Sequence, residues 1–186
     1  NIVVPGTIFE FTDSYDYATL LTPGHGYWIY ASTEGDITIS SGNASRTNTF
    51  APKNLGKVNK LSFNGNNLYF GVSIPEEEIL SYQFPPKPPA GAFDVRFKDG
   101  WRLVEDHGEI EVMNTSENLT VAYDIQVEAG ERMNWVLTAT NGEEYILEGT
   151  GKITVPSAER FTLELKAVVP ATFTLHQNFP NPFNPI

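Results

Sequence analysis

The residue types that do chemistry are present in this chain, but they are not spaced for it. His25 sits in the turn Pro23-Gly24-His25-Gly26, His107 in an acidic turn and His176 near the C-terminus. A zinc site needs three or four ligands, and none of these histidines has a second one two or four positions away. There is no cysteine, which removes thiolate nucleophiles, disulfides, Cys-ligated zinc and iron–sulfur clusters together. The serines lack a Gly-x-Ser-x-Gly setting, and Gly24-His25-Gly26 has no Lys-Ser/Thr behind it to cradle phosphate. Carboxylates cluster at Glu76-Glu77-Glu78, Glu105-Asp106 and Glu143-Glu144, yet sequence neighbours on a strand face opposite sides of the sheet. The expectation is no enzyme and no cofactor. Calcium remains the one metal with suitable oxygen donors, from Asp13 with Asp16 or from Glu105-Asp106 with Glu109, although the Asp-x-Asp-x-Asp-Gly loop is missing.

Aromatic residues offer a second kind of chemistry. Tyr15, Tyr17, Tyr27, Trp28 and Tyr30 fall within sixteen residues, and Trp101 follows the turn Lys98-Asp99-Gly100. Exposed Trp and Tyr faces flanked by polar side chains bind pyranose rings. On that ground Tyr15, Tyr17 and Trp101 are the glycan-binding candidates, with a polysaccharide as partner. Trp28 and Trp135 lie in strand-like runs and are expected in the core.

The elements that must position these residues are strands. Gly and Pro together number 28 of 186 residues, a turn-rich composition. Apolar residues alternate with polar ones at Ile110/Val112, Val121–Val127, Met133–Leu137, Tyr145/Leu147, Ile153/Val155 and Phe161–Ala167, the pattern of strands with one wet face. Thr7–Phe11, Tyr15–Tyr17, Tyr27–Tyr30 and Ile37–Ser40 read as further strands, with Tyr27–Tyr30 buried. Asn64-Gly65-Asn66-Asn67 and Asn141-Gly142 are hairpin signals. Pro75 followed by three glutamates starts at most one helical turn. Pro85-Pro86-Lys87-Pro88-Pro89 enforces an extended path. The fold class is therefore all-β: an antiparallel sandwich of immunoglobulin or fibronectin type, a second and partial β-rich region, and no long helix. The boundaries fall at 1–84 for the partial region, 85–91 for the Pro-rich crossing, 92–169 for the sandwich and 170–186 for a linker. The Phe93–Phe97 run is expected to pack between the two β regions.

Charge and length narrow the partners. Twelve basic against 23 acidic residues leave −11, which repels phosphate backbones and makes nucleic acid a poor partner. No stretch approaches the roughly 20 apolar residues of a membrane-spanning helix. The N-terminus shows no signal peptide and starts abruptly in strand-like residues.

The tail is the most distinctive segment. Phe173-Thr174-Leu175-His176-Gln177-Asn178-Phe179-Pro180-Asn181-Pro182-Phe183-Asn184-Pro185 resembles the opening of the type A C-terminal sorting domain of the type IX secretion system. The match covers about 13 residues and stops before the strands of that domain. Two upstream stretches, Gly6–Phe9 leading to Leu21–Ile29 and Leu68–Gly71 leading to Pro85–Phe97, resemble a β-rich module found just before such tails. In that module more strands precede the Gly-Thr-Ile-Phe segment, so the expectation is that Asn1 lies inside a domain. The resemblance implies export by the type IX machinery to the medium or the outer cell surface of a Gram-negative bacterium. It implies a non-catalytic structural or accessory role, with a carbohydrate-binding module of a secreted hydrolase as the alternative. Phe173 and Leu175 alternate like a strand, and the tail is expected to dock by strand addition to a sheet edge. The acceptor is this chain or a second copy, the latter giving self-association into filaments.

Overall fold

The computed structural model describes residues 2–40, 57–114, 118–126 and 133–167. Among the described residues thirteen strands form three sheets. A small sheet holds β1 (Val3–Phe11), β2 (Tyr15–Tyr17) and β3 (Tyr27–Ala31) in the order β2-β1-β3. The remaining strands are β4 (Asn59–Phe63), β5 (Asn66–Phe70), β6 (Asp94–Phe97), β7 (Leu103–Val104), β8 (His107–Met113), β9 (Asn118–Asp124), β10 (Met133–Ala139), β11 (Glu144–Leu147), β12 (Thr150–Pro156) and β13 (Arg160–Ala167). They make two five-stranded sheets, β11-β10-β13-β8-β6 and β12-β9-β4-β5-β7. All pairings are antiparallel except β5 with β7. No described helix is long and apolar enough to cross a membrane. The all-β, sandwich-like class expected from period-two patterning is what the chain adopts.

The two large sheets face each other across one apolar core. Leu61, Phe63, Leu68, Phe70, Leu119, Val121 and Val155 come from one sheet; Val95, Phe97, Ile110, Trp135, Leu137, Phe161 and Leu163 come from the other. Aromatic contacts bridge the layers: Phe63 meets Phe161 at 5.5 Å, and Phe70 meets Trp135 edge-on at 4.6 Å between centroids. Such pairs add to the area they bury. Trp135 is therefore a core residue, as its alternation implied.

The Asn64-Gly65 turn has positive φ at both residues, 47° and 99°. This primed geometry matches the twist of a hairpin, and Asn-Gly supplies it at least steric cost. The Asn64 side chain also accepts from the Thr120 backbone at 3.0 Å, tying the turn to β9. At Pro5-Gly6 the β1–β3 register shifts, with Gly6 at φ 79°. That irregularity bends β1 so that Thr7 and Phe9 are buried. Pro75 leads a 3-10 helix, Glu76–Tyr82, with its three glutamates in the first turn.

Two expectations are corrected here. The chain does not divide at residue 84: β4 and β5 lie before the prolines but pair with β9 and β7 after them. Leu61, Phe63, Leu68 and Phe70 are all fully buried, and only the facing sheet supplies enough apolar surface to cover them. The segment 92–169 alone thus lacks two central strands. The second correction is Ile37–Ser40, which forms no ladder; Ile37 and Ile39 are exposed. The tail 170–186, with its expected docking residues Phe173 and Leu175 and the motif residues to Pro185, lies outside the described residues.

Candidate functional site

The site begins with β6, whose four residues are all buried. Val95 and Phe97 point into the sandwich core, so alternation sends Asp94 and Arg96 to the opposite face. There the Arg96 guanidinium donates to both oxygens of Asp94, Nε to Oδ2 at 2.6 Å and Nη2 to Oδ1 at 2.9 Å. Its Nη1 donates to the Pro85 carbonyl at 2.6 Å. One arginine therefore neutralises a buried carboxylate and pins the start of the Pro-rich crossing.

A second buried cation joins the small sheet to the sandwich. The Arg102 guanidinium lies 4.8 Å from the Phe9 ring and 4.4 Å from the Phe84 ring. Phe9 and Phe84 also touch each other, with centroids 5.9 Å apart. Backbone bonds fix the strap that carries Arg102: Arg102 N–H to Tyr82 O at 2.8 Å, Tyr69 N–H to Arg102 O at 2.9 Å and Phe84 N–H to Gly100 O at 2.8 Å. Burial pushes the Arg102 pKa down to about 10, against the opposing pull of the nearby Tyr69 and Tyr17 phenols. It stays protonated at neutral pH.

Between the small sheet and the Pro-rich crossing lies a cleft of about 590 Å³, within the size range of ligand pockets. Trp28 and Tyr30 of β3 form one wall, Pro85, Pro86 and Lys87 the other, and Phe9, Phe84 and Arg96 the floor. Trp28 and Tyr30 are 48% and 43% exposed. The expectation that Trp28 fills the core is overturned. It shares a ladder position with Phe9, so both rings project from the same sheet face, but the sandwich covers only Phe9. Tyr15, on the neighbouring β2, has its pKa raised by burial.

A smaller cavity of about 180 Å³ lies beside it, lined by Tyr15, Asp16, Tyr17, Asn66, Asn67 and Arg102 among others. No protein-family model matches the chain, and no curated protein or solved structure does.

The glycan-binding candidates do not form one platform. Tyr15 is buried, edge-on to Phe9 at 6.3 Å and to Phe11 at 5.2 Å. Tyr17 is half-buried beside the smaller cavity. Trp101 is half-buried against the sandwich core and bridges to Phe97 and Gln83. Neither calcium set gathers, and among the described residues no three His, Asp or Glu side chains are grouped to hold a metal ion. Glu105 accepts from Ser73, Asp106 from His107, and Glu109 pairs with Arg160 at 3.3 Å.

Glu10 and Asp16 stand directly opposite each other across β1 and β2. Glu10 also bonds His25 and lies 3.3 Å from the Tyr27 hydroxyl. Burial, then the Glu10 charge, raises the Asp16 pKa. A carboxyl whose folded pKa is raised stabilises the fold below its unfolded pKa, and loses that contribution as pH rises through the folded value. Asp16→Asn should therefore raise the melting temperature slightly at pH 7, since like charges opposite each other cost a few tenths of a kcal/mol. The gain should shrink as pH falls through the raised Asp16 pKa, where its carboxyl is protonated and no longer faces Glu10 as a like charge. Thermal melts at pH 7 and pH 3.5 check this; an equal gain at both would remove the charge explanation.

Proposed function

We propose that this chain is a non-catalytic structural or accessory module of a bacterial surface protein exported by type IX secretion. The observation that carries this reading is the Phe173–Pro185 run, with its Gln-Asn-Phe-Pro-Asn-Pro-Phe-Asn-Pro core. The rest of the chain supports it in chemical terms. Arg96 is committed to Asp94 and Pro85, and Arg102 to two phenyl rings. Arg102 joins the small sheet to the sandwich and Arg96 pins the start of the Pro-rich crossing, which suits a segment that presents a surface. The acidic balance of −11 favours solubility outside the cell.

Fractionation of the parent protein tests the reading. In cells with an intact type IX machinery the protein should appear on the outer surface or in the medium. In cells lacking the outer-membrane translocon it should accumulate in the periplasm. Recovery from the cytoplasm alone, or unchanged export without the machinery, would overturn it.

A further inference from the structure

We propose that the cleft between β3 and the Pro-rich crossing binds a neutral glycan chain, with Trp28 and Tyr30 as its stacking surfaces. This inference stands apart from the export reading and uses none of the tail residues. Trp28 and Tyr30 occupy alternate positions on β3, so they share one face and stand about 7 Å apart along the strand. Each can take its own ring of an oligosaccharide. Nearly half of each side chain is open to solvent, which leaves aromatic area to cover. The Trp28 backbone is fixed before any ligand arrives, because it is paired with Phe9 in the β1–β3 ladder. Holding a binding group in place beforehand lowers the ordering cost of association.

The polar groups in the cleft select the ligand class. Its charged residues are Lys87, Arg96, Asp99 and Glu111, two of each sign. Lys87 pairs with Glu111 at 2.7 Å and Arg96 with Asp94, so no net positive field draws an anion. Asp99 and Glu111 are acceptors only, while Lys87 donates and the Gln83 amide does both. A sugar hydroxyl also donates and accepts, and so satisfies all four. A proline-rich peptide is the other ligand that an aromatic groove suits, but its backbone offers carbonyls and few donors. Asp99 and Glu111 would then face acceptors. A phosphorylated or sulfated ligand meets the same two carboxylates with like charge.

Native affinity electrophoresis of the full chain decides the matter, with gels containing β-glucan, arabinoxylan, galactomannan or dextran. At least one should retard the protein. Trp28→Ala should weaken that retardation by about tenfold or more, the effect expected of a tryptophan hot spot. Trp28→Phe, which keeps an aromatic face, should restore part of it, and Trp101→Ala should leave it unchanged. Circular dichroism of each variant confirms that the fold is retained. Failure of all four polysaccharides overturns the proposal, as does retardation that Trp28→Ala leaves intact. So does retardation in dextran sulfate alone, which reports charge only. Binding of a polyproline peptide by the wild-type chain, with none of the glycans bound, would assign the cleft to peptide recognition instead.

Discussion

Replacing Asp94 with alanine should lower the stability of the fold by about 3–5 kcal/mol, the cost of leaving a buried charge without its partner. Asp94 and Arg96 are 5% and 2% exposed, so water cannot take over the role of the missing carboxylate. Arg96 would keep the Pro85 carbonyl and the face of the Phe84 ring, 5.3 Å away, a dipole and a quadrupole in place of a full charge. The ion pair itself is worth much less than that loss, because bringing both charges out of water costs several kcal/mol per ion. Asp94→Leu combined with Arg96→Met should therefore recover much of the stability that Asp94→Ala removes. The double variant also frees Pro85, so the crossing should become easier to cleave even where global stability returns. Urea denaturation at pH 7 measures the first quantity and limited proteolysis near residues 85–91 the second. A loss below about 1 kcal/mol for Asp94→Ala, the range of exposed pairs, would mean that Arg96 finds water or another acceptor.

What the sequence made legible is what depends on local chemistry. Asn64-Gly65 announces its hairpin because few other residue pairs accept positive φ at both positions. The strands from Ile110 to Ala167 announce themselves because their apolar side chains recur every second residue. Pairing across distance is another matter. Nothing in Asn59–Phe63 says that its neighbour is Asn118–Asp124, because ladder bonds are made by backbone groups that every residue has. For that reason the Pro-rich run looked like a domain boundary, while the sheet crosses it. The site was hidden for the same reason. Its walls come from residues 28–30, 83–87, 99–100 and 111, with no shared motif. The period-two rule places Trp28 and Phe9 on one face once they are paired, but it cannot say how far the opposing sandwich extends over that face. Phe9 falls under the cover and Trp28 falls beyond it. The i, i+2 spacing of Trp28 and Tyr30 on a strand was the available signal, and it needed the knowledge that the strand was not buried.

Arg102 should show a different dependence on what replaces it. Arg102 is 5% exposed, and its guanidinium packs against both the Phe9 and the Phe84 rings. It supplies packing volume and attraction to two ring faces at the cost of desolvating a charge. The depression of its pKa to about 10 from the ordinary 12.5 corresponds to about 3 kcal/mol of disfavoured protonated form. Stacking on desolvated rings returns about 2 kcal/mol or more, so the two effects nearly cancel. Methionine is long enough to fill the same slot, carries no charge and contacts aromatic rings favourably through sulfur. Arg102→Met should therefore stay within about 1 kcal/mol of the wild type, the tolerance of a volume-conserving swap. Arg102→Ala removes the volume as well, leaving a cavity beside Phe9 and Phe84, and should cost about 3–4 kcal/mol. Since this side chain joins the small sheet to the sandwich, the alanine variant should also separate their unfolding. Hydrogen exchange of the β1 and β3 amides should become fast at lower urea than that of the sandwich strands. In Arg102→Met the two transitions should coincide, as expected of a cooperative unit. If methionine costs as much as alanine, the positive charge itself, and not the volume, holds the two parts together.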